Sequence, residues 1–592
     1  MFSLTLDRTA RRLTGLSVAA VALFAHGSAL AQDAAGTASA PAAAAAAAPS
    51  ADAMTNLIRL LVARGTLTQA DGDSLLTQAQ AEAAKAAAPP PPPPVAEGAV
   101  RVSRVPEVVR QQIRDEIRGE IMQQAAAEGW VTKGQAAPEW TKRIRLYGDL
   151  RVRSQSELYS KANSNQILDF ARLAQLGPVD YGTTAFLPLL NTREDRVNRL
   201  RIRARVGLEA EVAKGVTAEF SLGTGDDNSP ISPNANLGGG LAKRDIWLDL
   251  ANFKVKPVEA VTLEFGRFAN PFNSSELLYD TDLRFDGVAA QFNFDRLLGD
   301  NSALTVTGGA FPLDFGSPNF PNNALIKQSY PSKWLLAGEV KLKGEVADGV
   351  EITASAGYHH FTKVQGRLSD PCNLDLTDTC STDGLTPLFL RKGNTLFAVR
   401  NLTANTGGIS PQLLGLKFGY QILDLNLAVR VPLSDDVGAR LAGSYVRNLG
   451  FHRRDICGGQ IDTATSVLIQ PINNVNSDAT HVSVCTATSP ATFNGGNTGW
   501  LGSVSLGSRA IEKRGDWTVG AEYRYLQSDA VLDSLTDSEF HLGGTNAKGY
   551  VLHGEYGIVD GLSIGGQWYS ANQISGEPFA LDVLQVDLKA KF

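Results

Sequence analysis

Between Gln32 and Phe592 no stretch approaches the ~18 to 20 consecutive apolar residues that a membrane-crossing helix needs, which excludes a helical membrane protein. Cysteine is scarce: four in 592 residues, at 372, 380, 457 and 485, point to a few local staples in an oxidising compartment rather than a disulfide scaffold. None has metal-finger spacing with histidines, so neither a metal nor another cofactor is expected. Histidine is sparse as well. Of seven, one lies in the leader, His359, His360 and His553 fall in strand patterns, and His452, His481 and His541 lie in or beside loops; no nucleophile elbow accompanies them, so no enzyme is expected. An excess of basic residues is also missing: the net charge of −6 becomes more negative without the leader, which argues against nucleic-acid binding.

What is present begins with Arg8, Arg11 and Arg12 ahead of an apolar stretch from Leu16 to Ala25 and the small residues Ala29-Leu30-Ala31, the pattern of a secretory signal over 1–31. Residues 32–52 form an Ala/Pro/Ser linker, and 89–100 contain an unbroken proline run that reads as a stiff spacer. Between them, 53–88 fit a helical hairpin, with a stop at Gly65 and an N-cap at Thr68. In 101–130, Val109, Ile113, Ile117 and Ile121 recur every four residues on one amphipathic helix. A short coiled coil between subunits and a helix packed on the end of the next domain both fit that stripe.

From about Ile144 the period changes from 3.6 to 2. Strands are expected near 144–154, 197–212, 216–224, 244–256, 259–268, 285–295, 302–314, 333–346, 350–362, 415–433, 436–449, 499–507, 514–530, 547–558, 561–572 and 582–592, about sixteen in all. Tight turns such as "AKG" at 213–215, "ADG" at 347–349 and "VDG" at 559–561 alternate with long links. Segregated loop lengths predict an all-β fold, a transmembrane antiparallel up-and-down barrel over 142–592 with short turns on the periplasmic rim and long loops outside. The preceding helical segment is then periplasmic.

Cys372 and Cys380 fall in the long link after the ninth strand, and Cys457 and Cys485 in the one after the eleventh. Two intraloop bridges are the simplest pairing, although four cysteines permit three connectivities. The final strand alternates Leu584, Val586, Leu588, Ala590 and Phe592 with Gln585, Asp587, Lys589 and Lys591. Ending on Phe592, it resembles the insertion signal read by the barrel assembly machinery. Trp517, Tyr523, Tyr525, Tyr550, Tyr556 and Trp568 suit the headgroup level of the outer-membrane lipid.

Five separated segments, "NLIRLLVARGTLTQADGDSLL", "VPEVVRQQIRDEI…EGW…PEWTKRIRLYGDLRVR", "FGRFANPFNSSELLYDTDLRFDGVAAQF", "YQILDLNLAVRVPL" and "HLGGTNAKGY", make the chain resemble the bacterial putative porin family of outer-membrane proteins. The resemblance implies a water-filled channel for small polar solutes or ions, built as a homotrimer. It carries no list of functional residues.

Alternation supplies candidates instead. Arg145, Arg151 and Arg153 on the first strand, and Arg199, Arg201, Arg203 and Arg205 on the second, face away from the apolar row. Because an arginine on the lipid face costs roughly 2–4 kcal/mol at mid-membrane, this face is the lumen. Glu209 and Glu211 continue it, and Glu219 joins from the third strand. Two readings stand side by side: a solvated, ion-paired wall, or a basic lane favouring anions. The third external link carries Glu276, Asp280 and Asp282. It either stays on the rim or folds inward to set these acids against the arginines. A structural alternative is an anchor whose N-terminal helices contact peptidoglycan.

Overall fold

The computed structural model describes residues 143–592 except 181–186, 226–228, 296–300, 322–324, 326, 376–378, 404–410, 457–470 and 475–492. The leader, both linkers, the helical hairpin and the amphipathic helix lie outside the described residues, as do Cys457 and Cys485.

The strands are β1 (Ile144–Tyr159), β2 (Arg196–Ala213), β3 (Val216–Thr224), β4 (Ile246–Val258), β5 (Val261–Ala269), β6 (Arg284–Asp295), β7 (Ser302–Asp314) and β8 (Lys333–Ala347). There follow β9 (Val350–Thr362), β10 (Tyr420–Pro432), β11 (Gly438–Asn448), β12 (Thr498–Gly507), β13 (Trp517–Leu526), β14 (Ala547–Val559), β15 (Leu562–Gln573) and β16 (Ala580–Lys591). Each pairs antiparallel with the next, and β16 pairs with β1 from Asp149↔Lys591 to Tyr159↔Leu581, so the barrel of 16 strands is closed. Closure leaves no unpaired edge, the condition for strands to cross a bilayer. A two-residue strand, Ala235–Asn236, also lies against β2 and brings the sheet to 17.

The expected strands all form, with ends displaced by a few residues where loop chemistry takes over. The pattern read as 415–433 starts only at Tyr420, because Leu414–Leu416 pairs instead with Leu396–Ala398 in a small loop sheet. Strict alternation of link lengths breaks once. The link 574–579 is as short as a turn although it lies on the long-loop rim, and its Phe579 packs between Tyr159 and His541.

Apolar residues such as Leu150, Val152, Val206, Phe253, Val519, Val586 and Leu588 are exposed on the outer face, while Arg153, Gln585 and Asp587 are buried inside. Polar-in alternation fails over one sector of the long-loop half. Phe268, Phe285, Phe311, Leu335 and Phe361, from β5 to β9, are buried in one cluster with Phe272, Leu277, Leu278, Leu416 and Leu532 from the loops. Inward aromatics are tolerated there because the loops, not water, cover them, and each buried large apolar side chain contributes about 1.5–3 kcal/mol. The aromatic contacts are edge-on: Phe285 and Phe311 have centroids 5.0 Å apart, Phe272 and Phe311 5.9 Å.

Candidate functional site

The link 270–283 between β5 and β6 turns inward. Phe272, Leu277, Leu278, Tyr279 and Leu283 drive this, because all five are buried in the cluster above. Polar contacts fix the path across the interior. The Asn273 backbone N–H donates to Glu339 on β8 (2.9 Å), its side chain donates to Ser355 on β9 (3.0 Å), and the Tyr279 hydroxyl meets His359 Nδ1 at 3.0 Å. At the other end Asp282 reaches β2, where Arg203 Nη1 and Arg205 Nη1 donate to it over 3.1 and 3.2 Å.

A second link, 527–546 between β13 and β14, folds against the first. The Asp280 N–H donates to Leu535 O (2.9 Å), the Thr536 hydroxyl to Glu276 O (2.8 Å), and the Ser538 N–H to Asp280 Oδ2 (2.9 Å). The sequence reading missed this partner. Its available signal was Ala530, Val531 and Leu532 lying between Asp529 and Asp533, an apolar group that an exposed loop has no need for. The arrangement is held at its base by buried acids. Asp529 accepts from Thr395 N–H (2.7 Å), the Thr395 hydroxyl (2.6 Å) and Ser528 (2.7 Å), and Asp533 accepts from Asn394 N–H (3.2 Å). Burial pushes the Asp529 carboxyl up to about 6 and that of Asp533 up to about 7; the same cause brings the Lys392 ammonium down to about 7.

Of the three acids expected on the inward link, only Asp282 meets the basic row. Glu276 instead pairs with Arg524 on β13, and Asp280 is buried beside Asp537 and Glu539. Carboxylate oxygens of this trio lie within 4.8 Å of one another. They are already engaged: Arg524 donates to Asp537, and Arg153 to Glu539. Burial and the neighbouring carboxylates hold Asp280 well above the usual carboxylate range.

The seven arginines share one face, and they differ in partners. Arg153 donates to Asp587 through Nε and Nη2 at 2.7 and 2.8 Å. Arg203 and Arg205 share Asp149 as well as Asp282, with Nε distances to Asp149 of 3.0 and 2.6 Å. Arg199 donates to Glu157 (2.9 Å), and Arg145 near the short-turn rim pairs with Glu209. Arg151 and Arg201 instead meet only side-chain amides, Asn234 at 2.5 Å and Gln155 at 3.1 Å, and each has a buried Nε with no partner among the described residues. Glu219 accepts from Tyr147 and from Asn252 (3.1 Å), and Glu211 is exposed.

Cys372 and Cys380 form a disulfide in the link after β9. The terminal Phe592 exchanges backbone hydrogen bonds with Gly148 at 2.9 and 3.1 Å, and its ring covers that glycine. A Cβ at position 148 would come 2.6 Å from the ring's Cζ, so glycine is what admits the aromatic here.

Residues 51–592 match the family described as "Putative porin". The chain belongs to this family. The match and the closed barrel together make it an outer-membrane channel protein. Among solved structures, this porin is similar to OprB of Pseudomonas putida, with 11% identity over 76% of this chain and 95% of that one and a TM-score of 0.39. It is likewise similar to the channel DcaP of Acinetobacter baumannii, with 10% identity over 76% and 97% and a TM-score of 0.35. OmpF of Salmonella typhi, solved with daunomycin, gives 10%, 76% and 97%, and 0.35. No curated protein matches.

Proposed function

We propose that this porin admits small hydrophilic solutes and ions by passive diffusion through a lumen narrowed by links 270–283 and 527–546, with a preference for anions. The carrying observation is Asp282, which ties an inward-folded link to the arginine row on β2. The apolar cluster lines the β5–β13 side toward the long loops, so polar passage is directed to the wall made by β1–β4. Fixed charge on that wall leans positive. Arg203 and Arg205 are balanced by Asp149 and Asp282, whereas among the described residues Arg151 and Arg201 hydrogen-bond amides alone.

The reading extends to surroundings. The β1–β4 wall faces the solute, the exposed apolar rows face outer-membrane lipid, and the long loops lie outside with both termini periplasmic. Phe592, seated on Gly148 at the closing seam, serves the assembly machinery as the end of the inserted strand. The porin assembles as a trimer, and its N-terminal segment has peptidoglycan as a partner.

Planar-bilayer recording tests the function. Purified, folded protein gives stepwise conductance, and a salt gradient gives a reversal potential on the anion side. Absence of any conductance step removes the channel. A chain with Arg199, Arg201, Arg203 and Arg205 all changed to Ser loses the anion preference; unchanged selectivity removes only that part.

A further inference from the structure

At the long-loop end the structure holds a cavity of about 340 Å³ whose wall does not suit a hydrophilic solute. That volume falls at the lower end of sites that hold small molecules. Phe285, Phe311, Leu335 and Leu532 line one side, and Leu388 and Phe389 from the link after β9 line it while remaining 55% and 37% exposed. Exposed apolar side chains around a concave space leave it poorly solvated, a condition that favours an apolar occupant.

The polar side of the same cavity supplies the head-group chemistry. Arg267, Arg284, Lys333, Asp286, Asp314 and Asp533 all reach it. Most are committed. Arg284 is bound to Asp249 and to carbonyls, Lys333 to Asp314 (2.9 Å) and Thr386 O (2.7 Å), and Asp533 to backbone N–H groups. Arg267 differs. Its Nε donates to Asp249 O (3.1 Å) and its Nη1 to both oxygens of Asp286 at 3.0 Å, but the two side chains of that pair are 31% and 56% exposed, and its Nη2 makes no hydrogen bond among the described residues. An ion pair this open is held weakly, so a second carboxylate competes for the guanidinium with little loss. Arg267 also borders the adjoining cavity, of about 410 Å³, which Thr224, Ser229 and Asp249 line together with Trp247, Leu248 and Asp282 of the constriction.

We propose that the 340 Å³ cavity is a binding step for small monocarboxylic acids with an apolar body, the carboxylate on Arg267 and the body against Phe285, Leu388 and Phe389. The acid then leaves through the adjoining cavity toward Asp282. This rests on the channel reading above and adds acids with an apolar body to its solutes.

The test uses the full mature chain with two readouts. In bilayers with KCl, current through the porin is titrated with hexanoate and with acetate, each reported as a fraction of that variant's own KCl conductance. Hexanoate reaches half-effect at about a tenfold lower concentration, the consequence of burying roughly two of the additional methylene groups of its longer chain. Leu388→Ser with Phe389→Ser removes that advantage and leaves acetate as it was, while Arg267→Gln weakens both acids. In detergent, fluorine NMR of 4-fluorobenzoate reports binding without requiring transport, and heat-modifiable gel mobility checks that each variant is folded. Equal potency of hexanoate and acetate, or no effect of either folded variant, overturns the proposal. Fluorobenzoate binding lost in both variants but with no conductance in any form sinks the channel reading and keeps the site; conductance without fluorobenzoate binding does the reverse.

Discussion

Arg153 and Asp587 stand directly opposite each other across the seam where the first and last strands meet, joined by two hydrogen bonds of 2.7 and 2.8 Å. Both are buried, and Glu539 from the inward link 527–546 takes the third edge of the guanidinium. One arginine thus ties barrel closure to the position of an interior loop. Breaking a buried pair by removing one partner costs about 3–5 kcal/mol where the other charge is left uncompensated, and less here because Glu539 still faces Arg153. Asp587→Asn is therefore expected to lower the temperature at which the folded band disappears in heat-modifiability gels. An unchanged transition would mean that the seam is held by its backbone ladder alone.

Selectivity follows from which arginines have acidic partners. Asp282→Asn leaves Arg203 and Arg205 with Asp149 only and raises the anion-to-cation permeability ratio. One charge at about 4 Å in a water-like dielectric is worth ~1 kcal/mol, or about fivefold. Arg203→Ser with Arg205→Ser leaves Asp149 and Asp282 uncompensated and moves the reversal potential the other way. Shifts of the same sign in the two variants would contradict this assignment.

The inward link is held mainly by apolar burial. Leu277 and Leu278 are each 1% exposed, and truncating a buried leucine to alanine costs about 2–5 kcal/mol. Leu277→Ala with Leu278→Ala loosens link 270–283 without touching the barrel ladder. Single-channel conductance then rises and fluctuates while the gel-monitored stability of the barrel stays near wild type. A conductance identical to wild type would place the narrowest point elsewhere.

The barrel was legible because lipid and water impose period 2 on every strand, and the arginines of "NRLRIRARV" could face only one way. Legibility stopped at the interior. Phe268, Phe285, Phe311 and Phe361 have the pattern of lipid-facing residues gone astray until Leu277, Leu278 and Leu532 are seen to cover them. That contact joins links far apart in the chain, and local periodicity has no memory of it. The role of Asp280 was likewise hidden: an aspartate in a loop reads as solvated, and only the meeting of two loops buries it beside Asp537.

Buried acids make the loop packing sensitive to pH. An aspartate in an unfolded chain titrates near 3.9, whereas burial raises Asp533 to about 7 and Asp529 to about 6. A raised carboxyl binds its proton more tightly in the packed state, so packing is most stable below about pH 4 and weakens as pH rises through 7. Lys392, lowered to about 7, acts in a separate window: its contribution changes only above pH 7, where rising pH relieves the cost of a buried ammonium. His541 in the same link, held well below the usual imidazole range by burial and by Lys392, opposes the carboxyls as pH falls below about 6.5. Asp280 and Asp537, also raised by burial, side with Asp529 and Asp533, so between pH 5 and 7 the carboxyls decide the sign. Cleavage within 527–546 by a protease active across that range is expected to be slower at pH 5 than at pH 7, with Asp533→Asn flattening the difference. Faster cleavage at pH 5, or an unaltered slope in the variant, would assign the coupling to other groups.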